Sequence, residues 1–362
     1  MKRNRILAMA MTLALSVSLL AGCQKAPASS AQPDDQPPAS SSPAVSTPAP
    51  DVSQPEVVEL PEIDLAVISG PTGVGASKML SLYGADAQGE PSGLILNTTI
   101  AASNDEITPQ LINGSLDIAA TATNVAANLY NKTEGQVTML AINTEGVLYI
   151  LEKGNTVTNL ADLAGKTLYA PSNVKGANPE FILNYLLKQN GVDPATDLTI
   201  EWLTPQEITA KMTTGDAGVC MLPVPAATPV LVKDSGVREA LDLSAEWDKV
   251  CDTPLVMGCV VARTQFVEEN PELVEQFLDL YEQSILYMDD PANLEEAAAL
   301  VAGYGFAPNP QIAKRAIPQC NLTYLDGEEM QQAVQGYYDV LYQANPASVG
   351  GAMPYDDFYF VP

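Results

Sequence analysis

The feature that most limits the fold is an alternation of strand and helix patterns that begins at Glu62. Ile63–Ile68 is a short apolar run, Gly70-Pro71-Thr72-Gly73 breaks it, and apolar residues then recur at helical spacing over Val74–Tyr83. Further strands are predicted at 94–96, 117–120 and 137–142, with helices at 106–113 and 124–130. Strands that alternate with helices favour βαβ units and a mostly parallel sheet.

The same alternation restarts near Val147. Strands are predicted at 147–151, 167–170, 198–203, 217–222 and 237–241, with helices at 179–189 and 205–213. A strongly apolar strand follows at 255–262, and the remainder from Thr264 to about Gln343 is predicted helical. We therefore expect an α/β fold of two lobes, in which residues 61–143 and 256–362 form lobe 1 with a helical tail and residues 144–255 form lobe 2. Two chain crossings between the lobes would make a hinge beside a cleft.

One helix of the tail is predicted to carry an amphipathic face. Its members include several pairs that lie three or four residues apart: Phe277, Leu280, Tyr281, Ser284, Leu286 and Tyr287.

The first 22 residues have the form of a secretory signal peptide. Lys2, Arg3 and Arg5 precede an apolar run, and Leu20-Ala21-Gly22-Cys23 closes it. The cysteine after small residues resembles a bacterial lipoprotein signal, which implies lipidation of Cys23 and an extracytoplasmic, membrane-anchored protein. An ordinary signal peptide with a chance cysteine is the alternative.

Residues 23–60 are rich in Pro, Ser and Ala and have few large apolar residues. A segment of this composition does not bury enough apolar surface to offset its ordering entropy, so it is predicted to be a disordered tether. A flexible chain of this length spans about 30–35 Å on average, which would hold a folded domain clear of a membrane surface.

Charge and residue usage exclude several classes of function. The chain has 17 Lys and Arg against 44 Asp and Glu, and a partner of nucleic acid is not expected because phosphate binding needs clustered cations. Histidine is absent, which removes the commonest general base and the commonest zinc ligand. No catalytic residue, metal site or cofactor is therefore predicted.

Four cysteines remain if Cys23 carries a lipid: Cys220, Cys251, Cys259 and Cys320. Outside the cell, four cysteines allow two disulfides in three pairings. Buried free thiols are the alternative, because cysteine is among the most buried residue types.

Four stretches carry a resemblance to a known family. They are Asn113-Gly114-Ser115-Leu116-Asp117-Ile118-Ala119, Leu160-Ala161-Asp162-Leu163-Ala164-Gly165-Lys166-Thr167-Leu168, Met212-Thr213-Thr214-Gly215-Asp216-Ala217 and Glu269-Asn270-Pro271-Glu272-Leu273-Val274. With these stretches in this order, the chain resembles the ABC-transporter solute-binding lipoproteins of the type II periplasmic-binding fold. Within that family it is most similar to the group that binds sulfonates, nitrate and thiamine precursors. The resemblance covers residues 62 to about 345.

Gly70–Gly75 nearly spells a P-loop, but Ala76 stands where the phosphate-binding lysine is required and Lys78 comes two residues late. ATP is also scarce outside the cell. We expect this turn instead to be a helix N-terminus that faces a ligand, with Thr72 and Gly73 offering a hydroxyl and amides.

Further ligand contacts are expected where the resemblance and the carboxyl ends of strands coincide. In lobe 1 these are Ser103, Asn104, Thr121, Thr123 and Asn124, and in lobe 2 they are Ser172, Asn173, Asn178 and Pro223. Asn104 and Asn178 are alternatively helix caps. Glu145 either faces a ligand or is a solvated hinge carboxylate.

The predicted site is polar and poor in arginine, with Lys175 as the cation near its loops. It therefore suits a neutral solute or a cationic aromatic as well as an anion. The resemblance implies a monomeric receptor that captures a small organic molecule and delivers it to ABC permease subunits without chemistry. An enzyme of the same fold and a ligand-sensing lipoprotein are the alternatives.

Overall fold

The computed structural model describes residues 60–85, 87, 93–215 and 218–361. The predicted signal peptide, the lipidation site Cys23 and almost all of the predicted tether lie outside these residues. None of the helices within the described ranges combines the length and the hydrophobicity that a bilayer span requires.

The first strand–helix run forms most of lobe 1, and its predicted alternation is confirmed. Its elements are β1 (Glu62–Ile68), α1 (Pro71–Tyr83), β2 (Ile95–Ala101), α2 (Asn104–Asn113), β3 (Ile118–Ala122), α3 (Thr123–Thr133) and β4 (Val137–Thr144). α2 ends at Gly114, whose φ of 79° is in the left-handed region that favours glycine. Every residue of β4 is buried, which explains its nearly continuous apolar sequence.

The second run forms lobe 2. Its elements are β5 (Leu148–Lys153), β6 (Thr167–Pro171), α4 (Asn178–Gln189), β7 (Thr199–Leu203), α5 (Pro205–Thr214), β8 (Val219–Pro223), α6 (Ala227–Lys233), β9 (Val237–Asp242) and α7 (Leu243–Trp247). A capping box between Thr204 and Glu207 starts α5. The sequence pattern did not predict the short helices α6 and α7.

The chain then returns to lobe 1. The returning elements are β10 (Gly258–Arg263), α8 (Thr264–Glu269), α9 (Pro271–Asp289), α10 (Leu294–Gly303), α11 (Pro310–Ala316), β11 (Leu322–Leu325) and α12 (Gly327–Ala344). The prediction of an entirely helical remainder is therefore wrong at β11. The predicted face of α9 is also wrong at Leu286, which is 62% exposed, because Ile285 and Met288 take the buried positions.

The prediction of a mostly parallel sheet is wrong, because both sheets are mixed. The strand order is β11-β4-β10-β3-β1-β2 in one sheet and β7-β6-β8-β5-β9 in the other. β10 lies antiparallel between β3 and β4, and β5 lies antiparallel between β8 and β9. β10 and β5 are the first strands after the chain crosses from the other lobe. Each runs antiparallel to the neighbouring strands of the sheet that it joins.

The two lobes meet at the ends of β4 and β10. These strands pair directly, with Gly258 opposite Thr144, and the chain passes from β4 to β5 over residues 145–147. The strands of one sheet come from residues 62–144 and 258–325, and those of the other from residues 148–242. The exact lobe boundaries at 143/144 and 255/256 stay a prediction.

A group of aromatic side chains joins the lobes where α4, α7 and α12 pack together. Trp247 of α7 is fully buried, with its ring centroid 5.4 Å from that of Tyr185 and 5.6 Å from that of Tyr337. Its indole N–H donates to the Thr253 carbonyl at 2.7 Å. We call Trp247, Tyr185 and Tyr337 the aromatic clamp.

Candidate functional site

A cleft of about 760 Å³ lies between the two sheets and is lined by both lobes. In lobe 1 its wall consists of the turn after β1 (residues 68–72), the turn after β2 (residues 102–104) and Ala122 at the end of β3. Phe306 and Pro308 add a segment from the α10–α11 connection. The turns after parallel strands thus converge on one edge of the sheet, as expected for a ligand site in this kind of architecture.

Lobe 2 supplies the opposite wall. It consists of residues 171, 173–174 and 177–179 after β6, residues 223–226 after β8, and one face of α5 with Pro205, Gln206, Thr209, Ala210 and Thr213. Pro229 and Lys233 of α6 complete it. The cleft volume lies in the range of small-molecule sites.

The floor of the cleft is formed by the hinge strands. Thr144, Met257 and Gly258 line it. A Cβ placed on Gly258 would lie 2.5 Å from Asn143 Oδ1, 3.0 Å from Thr144 Cβ and 3.0 Å from Thr72 Oγ1. Glycine is therefore the residue that lets these polar side chains approach the floor, and a larger residue would fill that space.

Six of the predicted contact residues line this cleft: Thr72, Ser103, Asn104, Asn173, Asn178 and Pro223. They come from four separate turns and from both lobes. Their role as ligand contacts stays a prediction.

The other five predicted contacts do not line the cleft, and most lie directly behind its wall. Gly73 packs under the ring of Phe306, where a Cβ would come within 2.6 Å of the ring. Thr121 donates its hydroxyl to Asn104 Oδ1 at 2.6 Å, which positions a side chain of the wall. Asn124 is buried in lobe 1. Ser172 is exposed on the 3₁₀ turn Ser172–Val174 that follows β6 in lobe 2.

Thr123 connects the lobes through Asn178. The Thr123 hydroxyl donates to the Val256 carbonyl at 2.9 Å and accepts from Asn178 Nδ2 at 2.8 Å. Asn178 Nδ2 also donates to the Met257 carbonyl at 3.2 Å. Asn178 thus starts α4 in lobe 2 and is hydrogen-bonded to two residues of the hinge region on the lobe 1 side.

Ionisable groups are nearly absent from the described lining of the cleft, where Lys233 is the single one. The predicted cation, Lys175, instead places its ammonium group 5.8 Å from the ring centroid of Trp202, outside the lining. Glu145 also lies outside the lining; its partial burial, with the neighbouring carboxylate of Asp248, raises its pKa.

Sequence reasoning missed four parts of the cleft, one of which is the floor at Thr144, Met257 and Gly258. The polar face of α5 follows the carboxyl end of β7, so the rule that placed the other contacts would have found it. Lys233 ends α6, a helix that was not predicted. Phe306 and Pro308 approach from a connection between helices that carries no strand signal.

The four described cysteines are free thiols. Burial raises the pKa of Cys220 and of Cys320 to about 12, and it also raises that of Cys259. Cys251 is half-buried and lies 3.4 Å from the Tyr185 hydroxyl. Within the described ranges, acidic and cysteine side chains do not cluster in a way that would hold a metal ion.

Two mixed sheets facing each other across a cleft define the class: this is the two-lobed periplasmic-binding-protein fold. The structure aligns with an ABC transporter from Parabacteroides distasonis at a TM-score of 0.67 and 22% identity, over 84% of this chain and 98% of that one. It aligns with the periplasmic aliphatic sulphonate binding protein SsuA from Escherichia coli at a TM-score of 0.65 and 17% identity, over 84% and 93%. The predicted fold class is confirmed.

The chain belongs to the NMT1-like family, whose pattern matches residues 67–302. A curated relative is the nitrate/nitrite binding protein NrtA of Synechococcus elongatus, with 24% identity over 139 residues. That match covers 38% of this chain and 30% of the relative. The chain thus matches about a third of that relative's length.

Proposed function

We propose that this protein is the extracytoplasmic solute-binding receptor of an ABC importer. The observation that carries the proposal is the cleft of about 760 Å³, whose walls come from both lobes and whose floor is the hinge. A solute held there contacts both lobes, so it favours their closed arrangement over an open one. The similar proteins are named a nitrate/nitrite binding protein, a periplasmic aliphatic sulphonate binding protein and an ABC transporter.

The composition of the walls favours binding over catalysis. Among the described residues, the lining has neither carboxylate nor thiol, and its only ionisable group is Lys233. General acid–base and nucleophilic catalysis need such groups within reach of the substrate. An enzyme acting on a small precursor is accordingly the less supported alternative.

The experiment is a thermal-unfolding screen of the full chain, purified in detergent, against small organic solutes. A solute at a hundredfold excess over its Kd should stabilise the protein by about 2.7 kcal/mol. Ala210→Trp puts bulk into the cleft from an exposed position on α5, and it should abolish the shift. Ala161→Trp changes an exposed alanine of the same lobe outside the cleft and should preserve it. Equal shifts in both variants would contradict the proposed site.

The N-terminal segment completes the proposal. Cys23 would carry a lipid, and residues 23–60 would tether the receptor beside its permease. Cys23→Ser should move the protein from the membrane fraction to the soluble fraction of expressing cells. A protein that fractionates identically with and without Cys23 would contradict the lipid anchor.

A further inference from the structure

We infer that the cleft binds an uncharged organic solute that carries an N–H or O–H donor, and that it discriminates against nitrate, sulfonates and other anions without a donor. This inference rests on the proposed function. It names the chemical class of the solute and the side chains that select it.

The Asn178 side chain has a fixed orientation at the cleft. Its Nδ2 donates to the Met257 carbonyl, which only accepts hydrogen bonds, so the amide orientation is fixed. Its Oδ1 therefore faces the other way. Asn178 is fully buried and lines the cleft, and within the described residues its Oδ1 has no hydrogen-bond partner. A buried amide oxygen gains from a ligand that donates and repels one that presents only acceptors.

Thr144 lies on the floor. The residue is 2% exposed and lines the cleft, and its hydroxyl also has no partner among the described residues. Asn143 Oδ1, next to it and near Gly258, is a third buried oxygen without a described partner, although Asn143 is not one of the described lining residues. The amide oxygens of Asn143 and Asn178 only accept hydrogen bonds, whereas the Thr144 hydroxyl both accepts and donates. A donor group of the solute can therefore satisfy Asn178 Oδ1 and be accepted by Thr144 on the floor.

The lining disfavours charged solutes. A cation would be taken from water into a site whose described lining has no carboxylate, and an unpaired charge is costly to bury. An anion would lack an arginine, and the single described cation of the lining, Lys233, is an exposed residue at the end of α6 rather than a residue of the floor. The first turns of α1, α4 and α5 contain Pro71, Pro179 and Pro205. Proline has no backbone N–H, so each of these helix starts has one amide fewer for an anion.

The size of the cleft and its apolar lining set the rest of the solute. Ile68, Val174, Met257 and Phe306 contribute apolar side chains. A volume of about 760 Å³ is far more than a triatomic or tetra-atomic ion fills. The solute therefore has an apolar body with a donor group at the floor.

The test measures affinity by titration calorimetry for compounds that share a skeleton and differ in one group. For each of three skeletons, butyl, phenyl and pyridyl, the full chain is titrated with the primary amide, the N,N-dimethylamide, the carboxylate and the sulfonate. The amide should bind at least tenfold more tightly than the other three members of its series. The dimethylamide isolates the donor, because it keeps the neutral charge and the carbonyl group.

A carboxylate or sulfonate that binds as tightly as its amide would overturn this inference and leave the proposed receptor function standing. The same holds if the amide and the dimethylamide bind equally. Failure of every compound to bind would overturn both.

Two pairs of variants locate the selection. Thr144→Val and Thr228→Val each remove a buried hydroxyl without a described partner, and only Thr144 lines the cleft. Both should fold as well as the parent, because an unpartnered buried hydroxyl does not stabilise the protein. Thr144→Val should weaken amide binding about tenfold, and Thr228→Val should leave it unchanged.

The second pair is Asn178→Ala and Asn184→Ala, both on α4 and both with a buried amide oxygen that lacks a described partner. Only Asn178→Ala should weaken the binding of the amide. It should also reduce the difference in affinity between the amide and the carboxylate. If Thr144→Val and Asn178→Ala both bind the amide like the parent, the selection by these side chains is wrong.

Discussion

The two lobes meet in two regions of opposite character, the floor of the cleft and the aromatic clamp. At the floor, Gly258 leaves room, and buried oxygens of Thr144 and Asn178 have no described partner. At the clamp, the ring of Trp247 contacts those of Tyr185 and Tyr337, and its N–H is satisfied by the Thr253 carbonyl. The clamp joins the lobes through packed rings with the Trp247 N–H paired, whereas the floor leaves room and has unpartnered oxygens on residues that line the cleft.

This difference separates stability from binding. A well-packed aromatic cluster contributes to folding through buried area and ring contacts. Unpaired buried oxygens cost folding free energy, and a site that keeps them is organised for a ligand rather than for the fold. Substitutions in the two regions should therefore change different measured quantities.

The largest effect is expected at the clamp. Trp247→Ala removes a fully buried indole and should lower the free energy of unfolding by about 3–5 kcal/mol, measured by urea titration. Trp202→Ala is the matched control, because that ring is only partly buried and has Lys175 over it. Equal losses of unfolding free energy in the two variants would contradict a special contribution of the clamp to stability.

The next effect is expected at the floor. Gly258→Ala brings a methyl group within 2.5 Å of Asn143 Oδ1, so overpacking should lower stability by about 1–3 kcal/mol. It should also weaken solute binding, because the methyl group takes up space on the floor. Gly303→Ala, where the added methyl group meets open space, should leave both quantities nearly unchanged. A Gly258→Ala protein that binds a solute like the parent would place the solute elsewhere.

The smallest effect concerns the carboxylates near the hinge. Burial and the charge of Asp248 raise the pKa of Glu145, so its ionised form is less favourable in the folded protein than in the unfolded chain. The folded state is therefore more stable at low pH, where Glu145 is protonated. This extra free energy of unfolding is lost as the pH rises through the raised pKa. Glu145→Gln should therefore stabilise the protein at pH 7 by less than about 1 kcal/mol.

Glu152 provides the opposite sign. Burial alone would raise its pKa, but hydrogen bonds from Thr156, Val157 and Arg238 outweigh burial and lower it. Its contribution is present at neutral pH and is lost as the pH falls through that lowered value. Thermal unfolding is measured from pH 7 to pH 4 for both variants and the parent. The stability that Glu145→Gln gains over the parent should become smaller as the pH falls, and so should the stability that Glu152→Gln loses. A Glu145→Gln gain that persists at pH 4 would rule out titration as its cause.

Local patterns were sufficient for most of the elements and insufficient for their arrangement. The apolar run Val137–Ile142 identified β4, and the predicted helices at 179–189 and 205–213 agree with α4 and α5 to within one residue at each end. The antiparallel entry of β10 and β5 depends on pairing between distant segments, which periodicity does not record. β11 is a four-residue edge strand whose pairing with β4 is settled by tertiary contact.

The candidate site was predictable where it follows strand ends and unpredictable where it depends on side-chain direction. Asn104 and Asn178 begin the helices that follow β2 and β6, and both line the cleft. Thr121 and Thr123 sit at an equally good position, but their hydroxyls point into the protein and hold Asn104 and Asn178 in place. Ala122 lines the cleft, whereas its two neighbours in the chain support the wall from behind. A shift of one residue therefore separates a lining position from a supporting one.

The pairing of Thr144 with Gly258 makes the floor and the pivot the same residues. A rotation of one lobe against the other moves the pivot least, so a solute attached only there would have the same affinity before and after the movement. Such a solute would not change the populations of the two arrangements, however tightly it bound. Under the proposed function, the floor would therefore decide which molecule is held. The distant walls, with Asn104 on one side and Thr209 on the other, would decide whether binding changes the arrangement that a transporter detects.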